Sequence, residues 1–230
     1  MDTKNKFNLF LPGISSETND NVSLIAVDLR EKKTVIGLYT SENRTVYLKM
    51  EKSYETKEFS SFSEIVIQFI EENSLDNISK IAVAVPGPVI GGKSAPARLP
   101  WVLDAEEIKN STNIAQVFLI NDLEASAYGL EHVSEENFVT IHDSDYFTPG
   151  NAVLLSPGEG LGEAALFWDG SFLRPFATEG GHCEFSPRTN EEVEFYSFLQ
   201  KIYGIVSWES VLSKGGLLNV YRFLRDVKRQ

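Results

Sequence analysis

An α/β fold is expected from three features of this 230-residue chain. Two short apolar runs, Lys80–Val85 and Val117–Asn121, have the length of strands buried in a parallel sheet. A segment at Ser61–Ile70 carries apolar residues at helical spacing between the first of these runs and the strands before it. Upstream, Val22–Asp28, Thr34–Thr40 and Thr45–Lys49 are rich in β-branched residues and separated by turn formers, the pattern of an antiparallel meander.

Residues 1–20 are mostly polar and read as a flexible N-terminal arm, interrupted by the apolar patch Phe7–Gly13. The first domain is expected over residues 21–132. Its helix opens with a capping box, Ser61-Phe-Ser-Glu64, and Phe62, Ile65, Val66, Phe69 and Ile70 share one face. Pro86-Gly87-Pro88 ends the first apolar strand, Ala105–Asn110 reads as a short helix, and Asp122–Gly129 as a helix beginning where the second strand stops. Three antiparallel strands, a helix, a parallel strand, a helix and a second parallel strand is the order of a ribonuclease-H-like unit, the building block of actin-like kinases.

A second, incomplete unit of the same kind is expected over residues 133–230, beyond the polar, acidic stretch Leu130–Phe138. It would hold strands at Asn151–Leu155, Glu163–Trp168 and Ser171–Ala177, then helices at Glu191–Ile202, Ser207–Leu212 and Gly216–Val227.

The net charge is −12, so a partner that binds through phosphate contacts, such as nucleic acid, is not expected, nor is an anionic membrane surface. No run of 18 or more apolar residues is present to span a bilayer. Cys183 is the single cysteine and the histidines are His132, His142 and His182, which excludes multi-cysteine zinc sites and points to a reducing, cytoplasmic setting. No secretory signal is read at the N-terminus, and no metal site is assigned.

Four places could carry chemistry. Asp122 ends the apolar run Leu119-Ile-Asn-Asp122, where a carboxylate could accept a proton from a substrate hydroxyl or cap the following helix. Ser156–Gly162 carries Gly158, Gly160 and Gly162 at alternate positions, either an anion nest or a hairpin that binds nothing. Glu179-Gly-Gly-His182 flanks a close-approach glycine pair with an acceptor and a switchable donor. Glu209 follows Ser207 at a helix start, where the dipole alone would favour a carboxylate.

Taken together with Ala84-Val-Pro-Gly-Pro88, Leu99-Pro-Trp101, Ile120-Asn-Asp122, Gly158-Glu-Gly-Leu-Gly162, Glu179-Gly-Gly-His182 and Val206–Ser213, these motifs give a sequence that resembles bacterial glucokinases of the hexokinase and actin-like ATPase superfamily. The resemblance runs from about Ser23 to about Arg225. It implies transfer of a phosphoryl group from ATP, with Mg2+, to the 6-hydroxyl of glucose or a related hexose. Asp122 would be the general base, and Asn121, Glu179, His182 and Glu209 would hold the other sugar hydroxyls.

The nucleotide side departs from the pattern. The family's first phosphate loop is Asp-x-Gly-Gly-Thr; here Arg30 and Glu31 stand at the glycines and Lys32 at the Thr. Glu159 replaces the usual Thr in the second loop, and Glu163 follows the last glycine. The alternative reading is therefore a catalytically impaired relative that binds sugar without turnover. The resemblance also implies that glucokinases continue past the position of Leu224 with an adenosine-binding part. On that expectation a face carrying Leu217, Tyr221 and Leu224 would be left apolar, and the chain would form a homo-oligomer, most simply a dimer.

Overall fold

A computed structural model describes residues 7–11, 22–42, 45–142 and 148–229. The chain divides into two compact units, one of Leu11–Tyr128 and one of Gly129–Gln230 with the segment that ends at Phe10. The boundary expected at residues 132 and 133 lies just past that division, between the 3-10 turns Leu130–His132 and Glu135–Asn137.

The first unit is built on a five-stranded sheet in the order β3-β2-β1-β4-β7. Here β1 is Val22–Asp28, β2 Lys33–Glu42, β3 Thr45–Glu55, β4 Ile78–Val85 and β7 Gln116–Asn121. The short strands β5 (Lys93–Ser94) and β6 (Leu103–Asp104) pair separately. β1, β2 and β3 are antiparallel neighbours, while β1, β4 and β7 run parallel, as the ribonuclease-H-like order requires. Ile25 pairs with Ile81 and Val27 with Val83, so alternate apolar residues of adjacent strands meet on one face.

That face is covered by α1 (Phe62–Glu72), whose Phe62, Ile65, Val66 and Phe69 are buried, and by Ile108 of α2 (Ala105–Thr112). Burial of each such side chain contributes roughly 1.5–3 kcal/mol. The helix start differs from the expected box in one half: Ser61 Oγ accepts from Glu64 N at 3.3 Å, but the Glu64 carboxylate returns to Ser60 N at 2.9 Å, not to Ser61. β7 is also not the buried strand its composition suggests. It lies at the edge of the sheet, Phe118 is exposed, and Asn121 is its one buried residue, because no strand covers its outer side among the described residues.

The second unit carries an antiparallel sheet of β8 (Ala152–Pro157), β9 (Leu161–Trp168) and β10 (Leu173–Thr178), followed by α4 (Asn190–Tyr203) and α5 (Lys214–Phe223). Phe185, Phe195, Leu199, Val206 and Phe223 form its buried cluster. Three expectations are corrected here. Part of the arm is docked: Leu9 is buried and bridges Leu173 in parallel, with Phe10 N donating to Leu173 O at 2.9 Å. β10 is an edge whose backbone groups need partners, which is what an apolar tail segment can supply; the rest of the arm, residues 1–6 and 12–20, lies outside the described residues. Ser207–Leu212 is not a helix but a 3-10 turn at Trp208–Ser210. Leu224 is half-buried against the Phe195 and Phe223 cluster, so of the three residues expected on an open face only Leu217 and Tyr221 are exposed.

Candidate active site

The candidate residues fall in two groups, one in each unit. In the first unit, the carboxyl ends of β1, β4 and β7 lie side by side, with Asp28 paired to Ala84 and Ala84 to Ile120. Such ends are where open α/β sheets offer ligands backbone and side-chain groups.

Asn121 is buried at 6% exposure and makes three hydrogen bonds. Its Oδ1 accepts from Leu123 N at 3.0 Å and Glu124 N at 3.1 Å, and its Nδ2 donates to Gly87 O at 3.0 Å. Asn121 is therefore the cap of α3 (Asp122–Gly129), a role the sequence also allowed for Asp122. Gly87 has φ +123°, a conformation open to glycine, and this turns the Pro86-Gly87-Pro88 loop onto the Asn121 amide.

With capping done by its neighbour, the Asp122 carboxylate accepts Leu123 N at 3.0 Å. Burial raises its pKa; the Leu123 N–H opposes that rise, the charge of Asp28 adds to it, and the charge of Arg30 opposes it. A carboxylate of raised proton affinity at a strand end is suited to taking a hydroxyl proton.

The β1–β2 turn holds the other charged groups of this corner. Arg30 Nε donates to Asp28 Oδ1 at 3.0 Å and Oδ2 at 2.8 Å, and its Nη2 lies 2.8 Å from Oδ2. Glu31 does not stand alone, since Lys57 Nζ lies 3.3 Å from its carboxylate. Beneath the turn, Thr56 Oγ1 donates to Arg30 O at 2.8 Å and shares a 2.9 Å bond with Thr34 Oγ1, both threonines being fully buried.

In the second unit, Glu179, His182 and Glu209 come together. His182 Nδ1 lies 3.5 Å from Glu179 Oε2, and its Nε2 lies 3.9 Å from Glu209 Oε1. Two backbone pairings bring these segments together: Trp208 N donates to Cys183 O at 3.0 Å and Phe185 N to Val206 O at 2.9 Å. Gly181 is buried, and a Cβ there would overlap the Leu161 carbonyl, so the turn Gly180–His182 needs glycine to lie against β9. The imidazole is 62% exposed and its two nitrogens face carboxylates. Acceptor, switchable donor and acceptor in one row can hold neighbouring hydroxyls of a polyol.

Glu209 also accepts from Leu161 N at 2.9 Å. That contact bears on the glycine-rich turn. Gly158, Gly160 and Gly162 all lack left-handed φ angles, Gly158 N donates to Gly160 O at 2.8 Å, and Leu161 N belongs to Glu209. Two of the turn's donors, Gly158 N and Leu161 N, are thus bonded within the protein. Lys214 Nζ lies 2.8 Å from Glu159 on the same turn. The Asp28–Arg30 pair and the Thr34–Thr56 bond were not assigned roles from sequence. β1 does end in a carboxylate after an apolar run, as the run Leu119–Asn121 is followed by Asp122 at the start of α3.

The glucokinase family model matches residues 25–230. A glucokinase of Trichormus variabilis is 32% identical over 212 residues, covering 89% of this chain and 61% of that protein. A glucokinase of Synechocystis is 32% identical over 218 residues, with the same shares of each chain. The chain thus spans about 61% of the length of these curated relatives. Among solved structures, glucokinase from an Antarctic psychrotroph aligns with a TM-score of 0.75 at 21% identity, over 90% of this chain and 65% of that one. Glucokinase from Balamuthia mandrillaris, solved in complex with glucose, gives 0.70 at 18%, over 90% and 64%. The fold is therefore the actin-like α/β fold of these kinases, and the chain belongs to the glucokinase family.

Proposed function

We propose that this chain carries the sugar-phosphorylating half of a glucokinase, moving the γ-phosphoryl group of ATP to the 6-hydroxyl of glucose or a related hexose. The observation that carries the reading is the Asn121–Asp122 corner. Asn121 caps the helix and grips Gly87, which leaves the half-buried Asp122 carboxylate, with its raised pKa, for a hydroxyl proton.

In this reading Asp122 accepts the proton while the hydroxyl oxygen forms a bond to the γ-phosphorus. The bond from that phosphorus to the β-phosphate oxygen breaks, and ADP leaves with the electron pair. Glu179, His182 and Glu209 bind the remaining hydroxyls, and discrimination comes from leaving them unpaired when a wrong sugar enters. Asn121 acts as a positioning residue. No group of three or more His, Cys, Asp or Glu side chains forms a metal cage among the described residues, so Mg2+ would arrive on the nucleotide's phosphates. For the Gly158–Gly162 turn to receive a phosphate, Leu161 N would have to leave Glu209.

The test pairs calorimetric titration with glucose and a coupled ADP-release assay with Mg-ATP. Asp122→Asn is expected to lower kcat by about 10²–10⁴-fold with glucose affinity nearly kept. Glucose binding without ADP release in the unaltered protein would replace this reading with that of a sugar-binding relative without turnover. Exposed Leu217, Leu218 and Tyr221 on α5 support a homodimer, and light scattering that gives a monomer at high micromolar concentration would remove that part. The single exposed Cys183 is consistent with a reducing, cytoplasmic setting.

A further inference from the structure

We propose that the glycine-rich turn Gly158–Gly162 serves the sugar side of the site, with Gly160 and the Leu161 amide as positioning residues that seat the Glu209 carboxylate. The inference rests on the sugar-binding reading above and adds to it what fixes one of the acceptors.

The observations meet at Leu161. Its N–H donates to Glu209 Oε2 at 2.9 Å, across 48 positions of chain. The other oxygen of the same carboxylate, Oε1, lies 3.9 Å from His182 Nε2. One edge of the carboxylate is therefore held by backbone, and the other is turned to the row of groups that would take hydroxyls. A hydrogen bond to an ionised acceptor is among the stronger ones, so the held edge is well fixed. Glu209 is also the most enclosed member of the row, 27% exposed against 58% for Glu179 and 62% for His182.

Gly160 makes room for this seat. A Cβ there would stand 2.5 Å from Glu209 Oε2 and 3.2 Å from its Cδ, a separation too short for a side-chain carbon. The φ of Gly160 is not left-handed, so its backbone would accept a side chain. What requires glycine is the space that the carboxylate fills. Gly158, two positions earlier, has no such neighbour, since a Cβ there would meet nothing within 4 Å. The Leu161 carbonyl completes the arrangement. It lies where a Cβ of Gly181 would fall, so the turn that carries Glu179 and His182 rests on the same residue that seats Glu209. The glycine-rich turn is braced in its own right: Gly158 N donates to Gly160 O at 2.8 Å, and Lys214 N at the start of α5 donates to Gly158 O at 2.8 Å. An acceptor fixed before the ligand arrives lowers the ordering cost of binding.

The experiment is calorimetric titration with glucose on the whole chain and on Gly160→Ala, Gly158→Ala, Glu209→Ala and the Gly160→Ala/Glu209→Ala pair, with urea denaturation as the check on folding. Gly160→Ala should weaken glucose binding about tenfold, because the added methyl displaces the end of a flexible side chain and not the backbone. Gly158→Ala should leave glucose affinity unchanged. In the Glu209→Ala background Gly160→Ala should cost nothing further, since the group it displaces is gone. Hydrogen exchange at the Leu161 amide tests the seat without touching the turn, and it should speed up about tenfold or more in Glu209→Ala. Glucose affinity kept by Gly160→Ala, a loss that persists once Glu209 is removed, or unchanged exchange at Leu161 would each overturn the proposal. Normal glucose binding that ignores Gly160 defeats this inference alone, whereas no glucose binding by the unaltered chain defeats the sugar-binding reading and the inference with it.

Discussion

The two groups of candidate residues are held in opposite ways. Asn121 and Asp122 stand on a sheet whose other face is sealed by α1, and every polar group of the Asn121 side chain but one N–H is bound inside the protein. Glu179, His182 and Glu209 stand on turns at the surface of a unit with a much smaller buried cluster, and they touch one another at salt-bridge rather than tight hydrogen-bond distances. The difference suits the chemistry proposed for each group. A proton acceptor gains from desolvation and a fixed position, because burial is what raises its pKa. Groups that hold sugar hydroxyls must stay open to exchange water for ligand.

This comparison can be broken by substitution. Asn121→Ala removes the α3 cap and leaves the Gly87 carbonyl without its donor, which should cost about 1–3 kcal/mol of stability. Turnover should fall with it, because Asp122 loses its fixed neighbour. His182→Ala removes an exposed side chain, so stability should stay within about 0.5 kcal/mol. Glucose affinity should instead weaken about tenfold, the equivalent of one hydrogen bond. Urea denaturation and glucose calorimetry on both variants check the contrast. Comparable destabilisation by the two would show that the second group is structural as well.

What the chain reveals before its structure is known follows the same division. The first unit is legible because its elements are long and periodic: β1, β4 and the face Phe62, Ile65, Val66, Phe69 each repeat a pattern that only one burial satisfies. The second group is legible as residue types but not as geometry. Nothing local says that Glu209 reaches back to Leu161 N, 48 positions earlier, and closes the glycine-rich turn. The docking of Leu9 on β10 was equally hidden, since five residues of apolar chain carry no period, and the unpaired edge they need is a property of the folded sheet. The anchoring of Arg30 is hidden for a related reason. Read along the chain it looks like a charged turn, and its anchors at Asp28 and Thr56 appear only when β1, β2 and the end of β3 are brought together.

The smallest expected effect is also the one that probes the first group most closely. With Asp122 as the proposed general base, which acts when deprotonated, the rate should rise with pH through its pKa, and a raised pKa places this acid limb above the usual carboxylate range. Two charged neighbours pull on it in opposite directions, Asp28 upward and Arg30 downward. Arg30→Ala deletes the downward pull, so the acid limb of kcat/KM should move further toward neutral pH. Because Arg30 is largely exposed, added salt should screen its charge and shrink the difference between the two proteins. A steady-state pH profile at low and high ionic strength measures both. A limb that stays fixed, or moves to lower pH, would mean that Arg30 does not act on Asp122 through its charge, and the upward shift would then rest on burial and the charge of Asp28.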